Sequence, residues 1–318
     1  MAPWLRARLN LPVVFLIGPT ASGKSAAALE LGERFNAEII SIDSALVYRD
    51  MNIGTAKPNA ADLARAPHHL IDLISPIEAY SVARFLVDCR AAIDAIHLRG
   101  RLPLLVGGTM MYANILVNGL SNVPPSDPTV RAEISLERER DGIKILHEKL
   151  RAVDPVTAAR LPATDTQRIE RALEVWRLTG ARLSSMQGQR KSALAGLETL
   201  VLRWMPEDRG WLHARCEERL AAMFEQGFVA EVKSLREQYE LTADMPSMRC
   251  VGYRQVLDVL EDRAPEREMF ERALFATRQL AKRQITWLRS FDGAVVACNS
   301  EFAAERASEL IASAVRAA

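Results

Sequence analysis

The apolar residues in the first third of the chain come in short unbroken runs separated by mixed stretches. Val13–Ile17 is one such run. It is followed by the helix-prone segment Lys24–Phe35 and by a second run, Ala37–Ile42, that ends at Asp43-Ser44. Ser81–His97 reads as a helix, and Leu102–Val106 is a third apolar run before Gly107-Gly108-Thr109. Short runs without polar alternation suit strands buried on both faces, and their alternation with helices predicts a parallel sheet covered on both sides. Ligands of such sheets sit at the carboxyl ends of the strands. The pattern therefore directs Gly18–Ser25, Asp43 and Thr109 toward one cleft.

The character changes after Gly119. Pro124-Pro125-Ser126-Asp127-Pro128 reads as a loop that marks a boundary, and from Val130 to about Gly188 the chain reads helical. Ile169, Ala172, Leu173 and Trp176 fall at i, i+3, i+4 and i+7, one apolar face. Thr199–Trp204 returns to strand character. Two helical stripes follow, one of Leu220, Phe224, Phe228, Val232 and Leu235 and one of Phe270, Leu274, Ala281, Ile285 and Leu288. Residues 293–298 suggest a last short strand. The expected fold class is α/β: a P-loop-containing parallel sheet core (1–123 and 199–318) with a helical insertion domain (124–198) and a helix-rich C-terminal part.

The turn after the first run carries the chemistry. Gly18-Pro19-Thr20-Ala21-Ser22-Gly23-Lys24-Ser25 has the Gly-x-x-x-x-Gly-Lys-Ser spacing, with a strand before it and a helix after it. Its glycines let backbone N–H groups face inward. Those donors and the positive end of the following helix hold phosphate oxygens. Lys24 adds a point charge, and the Ser25 hydroxyl is a Mg²⁺ ligand of the expected kind. Leu11–Ile17, preceded by Arg6 and Arg8, is at the short limit for a secretory signal and runs straight into Lys24, so it reads as a strand.

Bulk composition narrows the partners. The 318 residues are 49% hydrophobic and 25% charged, with a net charge of +1, as in an ordinary soluble globular protein without a global demand for nucleic acid. No apolar run approaches a membrane span. Cys89, Cys216, Cys250 and Cys298 lack Cys-x-x-Cys spacing, which favours free thiols in a reducing cytoplasm over a zinc site or a disulfide framework. The pair His68-His69 reads as local packing or capping.

Several residues have both a chemical and a structural reading. Asp43 at a strand end is a candidate Mg²⁺ holder through water, a general base, or a turn cap. Thr109 is placed to position a substrate atom or to cap the helix that follows. Arg215 either stabilises a diphosphate leaving group or pairs with the acidic residues Glu217 and Glu218. Three groups combine arginines with neighbouring polar or aromatic residues: Gln167-Arg168-Ile169-Glu170-Arg171, Arg249-Cys250-Val251-Gly252-Tyr253-Arg254 and Lys282-Arg283-Gln284-Ile285-Thr286-Trp287-Leu288-Arg289. Each is either an RNA-contacting surface or a solvated helix face.

Taken in order, these strings resemble the tRNA dimethylallyltransferase family, which prenylates adenosine 37 of certain tRNAs. The resemblance rests on the P-loop, on 39–49 (IISIDSALVYR), 54–58 (GTAKP), 67–72 (PHHLID) and 105–112 (LVGGTMMY), and on the three basic groups, and spans Pro12 to about Arg289. It implies that residues 18–25 hold the diphosphate of dimethylallyl diphosphate with Mg²⁺ and that no nucleotide is hydrolysed, although the motif class is otherwise nucleotide- and ATP-binding. It implies Asp43 as the base for the adenine amine, Thr109 as its orienting hydroxyl and Arg215 as a diphosphate contact. It also implies Asp43, Ser44, Ala45, Leu46, Thr109, Arg131 and the three basic groups as contacts to the tRNA anticodon stem-loop. A cytoplasmic monomer with no membrane association completes the expectation. Asn52 stands where the family often has Asp, and the zinc finger of eukaryotic relatives is absent, which implies the bacterial type. The alternative is a P-loop kinase of a small metabolite. A GTPase-like module would need an Asn-Lys-x-Asp motif, which the chain lacks.

Overall fold

The computed structural model describes residues 11–121, 123–186, 188 and 190–318. Arg6 and Arg8, weighed above as part of a signal, lie outside the described residues. The chain divides into two compact units. One comprises the described residues up to Asn114 together with Gly196–Ala318, and the other is Ile115–Ala195. The proline-rich loop at 124–128 lies inside the second unit.

The first unit opens with β1 (Val13–Ile17), α1 (Lys24–Phe35) and β2 (Ala37–Ser41), followed by α2 (Ala60–Arg65), β3 (His68–His69), α3 (Val82–Leu98) and β4 (Leu102–Gly107). α4 (Met110–Asn118) crosses into the second unit, which continues with β5 (Leu120–Ser121), α5 (Pro128–Asp141), α6 (Ile143–Val153), α7 (Pro155–Arg160), α8 (Thr166–Thr179), α9 (Leu183–Met186) and β6 (Arg190–Lys191). The first unit resumes with β7 (Thr199–Met205), α10 (Arg209–Glu225), α11 (Phe228–Tyr239), α12 (Tyr253–Leu260), α13 (Met269–Leu288), β8 (Ala294–Ala297) and α14 (Ala303–Ala317).

The main sheet has six strands in the order β3-β2-β4-β1-β7-β8, and every neighbouring pair is parallel. β1, β2 and β4 are buried at every residue, as their unbroken apolar runs require. Val14, Leu16, Leu104 and Leu202 pack with Ala28 and Leu31 of α1 and with Ala307 and Ile311 of α14. A second core joins α10–α13 to the segment after β2, with Val47, Tyr48, Met51 and Ile74 against Leu220, Phe228, Tyr253, Val256 and Leu274. This helical layer delivers side chains to the P-loop.

Two local readings need correction. The stripe from Leu220 to Leu235 belongs to two helices. Gly227 takes φ 95, a left-handed conformation that ends α10 and caps α11, and apolar spacing alone did not reveal the break. His68 and His69 form the edge strand β3, where His69 Nε2 lies 2.6 Å from Glu38 Oε2 and His68 Nδ1 lies 2.8 Å from the Ala66 carbonyl.

The second unit packs Ile134, Leu146, Leu150, Ile169, Ala172 and Leu173 into its own core, and it also holds the antiparallel pair β5–β6. Ile169, Ala172 and Leu173 are thus core residues, as the periodicity predicts, whereas Trp176 at the end of the stripe is only half-buried and stands outside that core.

Candidate active site

Three strand ends of the first unit meet. The N–H of Gly18, after β1, donates to the Gly107 carbonyl at the end of β4 (3.3 Å). The N–H of Thr109 donates to the Ile42 carbonyl after β2 (3.3 Å). These approaches require glycine. A Cβ at Gly107 would lie 2.5 Å from the Ile42 carbonyl oxygen, and one at Gly18 would lie 2.8 Å from the Trp204 carbonyl oxygen.

The loop between β1 and α1 curls through two left-handed residues, Ala21 (φ 62) and Gly23 (φ 81), and Gly23 caps α1. Ala21 in this conformation was not legible in the motif. Side chains from distant elements brace the loop. Trp204 Nε1 donates to the Ser22 carbonyl (2.9 Å), Gln284 Oε1 accepts from the Thr20 N–H (2.8 Å), and Arg219 Nη2 donates to Thr20 Oγ1.

A cavity of about 400 Å³ opens against this loop, lined by Ala21, Ser22, Gly23, Lys24, Ser25, Ala56, Arg215, Glu218 and Arg219. Lys24 Nζ donates to the Pro19 carbonyl (3.2 Å). Burial lowers the Lys24 pKa from 10.5 to about 8; neighbouring Arg219 adds to this, while Asp43 and Cys298 oppose it. The Arg219 guanidinium is likewise held below its ordinary range, chiefly by burial. Two desolvated cations facing one cavity form a site that gains by taking up a polyanion.

Arg219 was missed in the sequence, although it lies four residues beyond Arg215 on the same helical face and so was within reach of a periodicity argument. Arg215 lines the cavity as expected. Its side chain is half exposed, pairs with Glu218 (3.6 Å) and lies over the Trp211 ring (6.0 Å). Its ion-pair and cavity readings hold together, while the more buried guanidinium is that of Arg219.

Asp43 and Thr109 do not line this cavity, but Asp43 stands close enough for its charge to act on Lys24, Arg219, Tyr112 and Cys250. Asp43 Oδ1 accepts from the Ala45 N–H (2.9 Å) in a local turn, and Oδ2 has no hydrogen-bond partner among the described residues. The capping reading therefore accounts for one oxygen only. Thr109 Oγ1 accepts from the Ser44 N–H (3.0 Å) and donates to Ser44 Oγ (3.2 Å), while its carbonyl starts α4 by accepting from Tyr112 N (2.9 Å). One acceptor lone pair of the hydroxyl remains. Burial pushes both the Cys250 thiol and the Tyr112 phenol up to about 12, so both are neutral at physiological pH.

No group of three or more His, Cys, Asp or Glu among the described residues could cage a metal alone. A Mg²⁺ ion that takes most of its ligands from phosphate oxygens and water needs only a hydroxyl or a carboxylate from the protein. Ser25, exposed at the N-terminus of α1, meets that need.

The basic groups divide by burial. Arg249, Arg254, Lys282, Arg283, Thr286, Trp287 and Arg289 are exposed, as are Ser44, Gln167 and Arg168, whereas Ala45, Leu46, Cys250 and Val251 are half-buried. Gly252, Ile285, Leu288 and Ile169 are buried, so they support these surfaces and do not themselves present to RNA. Tyr253 is fully buried and donates its hydroxyl to Glu231 Oε1 (2.5 Å), which removes it as a base-stacking ring. Gln284 is 8% exposed and faces the P-loop, which removes it from direct RNA contact. In the second unit, Glu174 is fully buried and takes Arg171 (2.7 Å) and Arg131 (3.6 Å) as ion-pair partners, with Glu170 bound by Arg138 (2.9 Å). Arg171 is therefore committed to that carboxylate, while Arg131, whose contact is longer, keeps a half-exposed guanidinium.

Residues 46–291 match the family described as IPP transferase, and residues 11–72 that described as Isopentenyl transferase. A Ralstonia nicotianae protein named tRNA dimethylallyltransferase is 55% identical over 87% of this chain and 88% of its own length. A Paraburkholderia xenovorans protein of the same name is 50% identical over 96% and 99%. Among solved structures, the full-length tRNA isopentenylpyrophosphate transferase from Bacillus halodurans superposes with a TM-score of 0.71 at 32% identity, over 97% of this chain and 98% of that one. A eukaryotic dimethylallyltransferase acting on tRNA superposes at 0.78 with 28% identity, over 93% and 77%.

Proposed function

The chain belongs to the IPP transferase family, and from that premise we propose that it transfers a dimethylallyl group from dimethylallyl diphosphate to N6 of adenosine 37 in tRNA and releases diphosphate. The observation that carries the reading is the pair of desolvated cations, Lys24 and Arg219, in one cavity with the P-loop, with the Asp43 charge beside them.

In this reading the P-loop N–H groups, Lys24 and Arg219 bind the diphosphate and meet the charge that grows on it as the allylic C–O bond breaks. Mg²⁺ bound at Ser25 would supply further neutralisation of that charge. Thr109 orients the adenine amine through its remaining acceptor position. As the N–C bond forms, Asp43 Oδ2 takes the proton that the amine loses. The target base leaves its stack to reach the pocket, at a cost of a few kcal/mol. Phosphate contacts by the exposed Arg249, Arg254, Lys282, Arg283 and Arg289 offset that cost. The anticodon stem-loop is the part of tRNA engaged, and the enzyme acts as a cytoplasmic monomer. No helix among the described residues is long and apolar enough to cross a membrane.

The test is transfer of label from radiolabelled dimethylallyl diphosphate to an unmodified tRNA carrying adenosine 37. Label in the tRNA is the expected result. ATP turnover without label transfer would favour the kinase alternative.

A further inference from the structure

Gln284 lies on the buried face of α13, 8% exposed, and is bonded at both ends of its amide. Oε1 accepts from the Thr20 N–H in the P-loop (2.8 Å), and Nε2 donates to the Gly108 carbonyl (2.9 Å), directly before Thr109. The fit is close, since a Cβ at Gly108 would stand 2.4 Å from Nε2. The Thr109 loop is itself tied to the strand end that bears Asp43, through Thr109 N to the Ile42 carbonyl and Ser44 N to Thr109 Oγ1. One side chain thus spans the phosphate cradle and the loop pair that carries Asp43 and Thr109.

Among uncharged side chains, a primary amide satisfies a backbone donor and a backbone acceptor at once in this planar geometry. Glutamate would present a second acceptor to the Gly108 carbonyl, and methionine would serve neither group.

From this bridge we infer that Gln284 is a positioning residue, setting the donor cradle at its working distance from the acceptor loop. It touches neither reacting group. The inference rests on the reading above, in which residues 18–25 hold the diphosphate and Asp43 and Thr109 serve the amine. On that reading, loss of the bridge leaves each half-site able to bind and puts their reacting atoms out of register. Displacements of about 1 Å cost on the order of 10²-fold in rate.

The experiment compares wild type, Gln284→Met and Gln284→Glu in the full-length chain, with inorganic pyrophosphate as the donor-site probe and unmodified tRNA as acceptor. Thermal melts establish that each variant is folded, and Gln284→Glu, which keeps the volume and the Thr20 acceptor, serves if Gln284→Met is not. Expected is a fall in kcat of about 10²-fold, with pyrophosphate and tRNA dissociation constants within about threefold of wild type. A folded variant with kcat within about threefold of wild type overturns the proposal. So does a loss of pyrophosphate affinity that matches the loss of kcat, since that pattern marks simple support of the P-loop. Lys24→Ala is measured alongside. If it binds pyrophosphate as wild type does, the site reading itself fails, whatever the Gln284 variants show.

Discussion

Lys24 offers a test of the anion site that does not depend on turnover. Its ammonium is held near 8 in the free protein, mainly by burial. A bound pyrophosphate favours the charged form and returns the group toward its ordinary range. The sign follows directly. Below pH 8 the cation is present before binding and Lys24 adds no pH dependence of its own. Above pH 8 the free protein has lost that proton and must regain it to bind, so affinity falls about tenfold per unit until the pKa of the bound state is reached. Between pH 7 and pH 9.5 the fall attributable to Lys24 is about 30-fold on that basis. Calorimetric titration in two buffers of different ionisation enthalpy reports the accompanying proton uptake, which should approach one proton per site by pH 9. Lys24→Arg carries a charge that does not titrate in this range, so the share of uptake due to Lys24 and the excess slope over the variant should vanish, leaving only the ligand's own proton exchange. Equal proton uptake by wild type and Lys24→Arg would refute the argument that the buried ammonium is the group titrating.

Further outcomes follow from the same geometry. Asp43→Asn should lower kcat by about 10²-fold or more with tRNA affinity little changed; similar turnover in the variant would remove Asp43 from proton transfer. Arg219→Met should weaken pyrophosphate binding by about 10- to 100-fold, the worth of one charge-assisted hydrogen bond, and should do so more than Arg215→Met, whose guanidinium is half exposed. Arg249→Ala and Arg254→Ala should each reduce the salt slope of tRNA binding by about 1, read from affinities at several salt concentrations. Gly54→Ala should destabilise the fold by about 1–3 kcal/mol, lowering the melting temperature by several degrees, because a Cβ there would fall 2.1 Å from Phe228 Cε2.

Much of this site could be read before any coordinates because its elements are local. The phosphate loop is a contiguous string, and the apolar runs that precede it, Asp43 and Thr109 are consecutive in the chain, so their periods reveal strands buried on both faces. Parallel connectivity then sends three strand ends to one edge with few alternatives. The same reasoning failed at Gly227, where one residue's left-handed backbone outweighs an unbroken apolar spacing, and at Tyr253, where an aromatic among arginines is buried against Glu231.

Tertiary structure decided which side chains complete the site. Gln284 reaches Thr20 across 264 residues of sequence, and Arg219 and Trp204 reach the same loop across 199 and 182. Spacing from Ala281 and Leu288 puts Gln284 on the apolar face of its helix, but no local pattern says which backbone groups that face will meet. Which face turns inward is set by packing against the rest of the fold, where apolar burial chooses the orientation of α10 and α13 and the polar groups carried inward must find partners. Composition and spacing thus determined the Gly-Lys-Ser loop and the sheet that presents it. The placement of that loop relative to the Asp43 and Thr109 segments is fixed only once distant helices have closed over them.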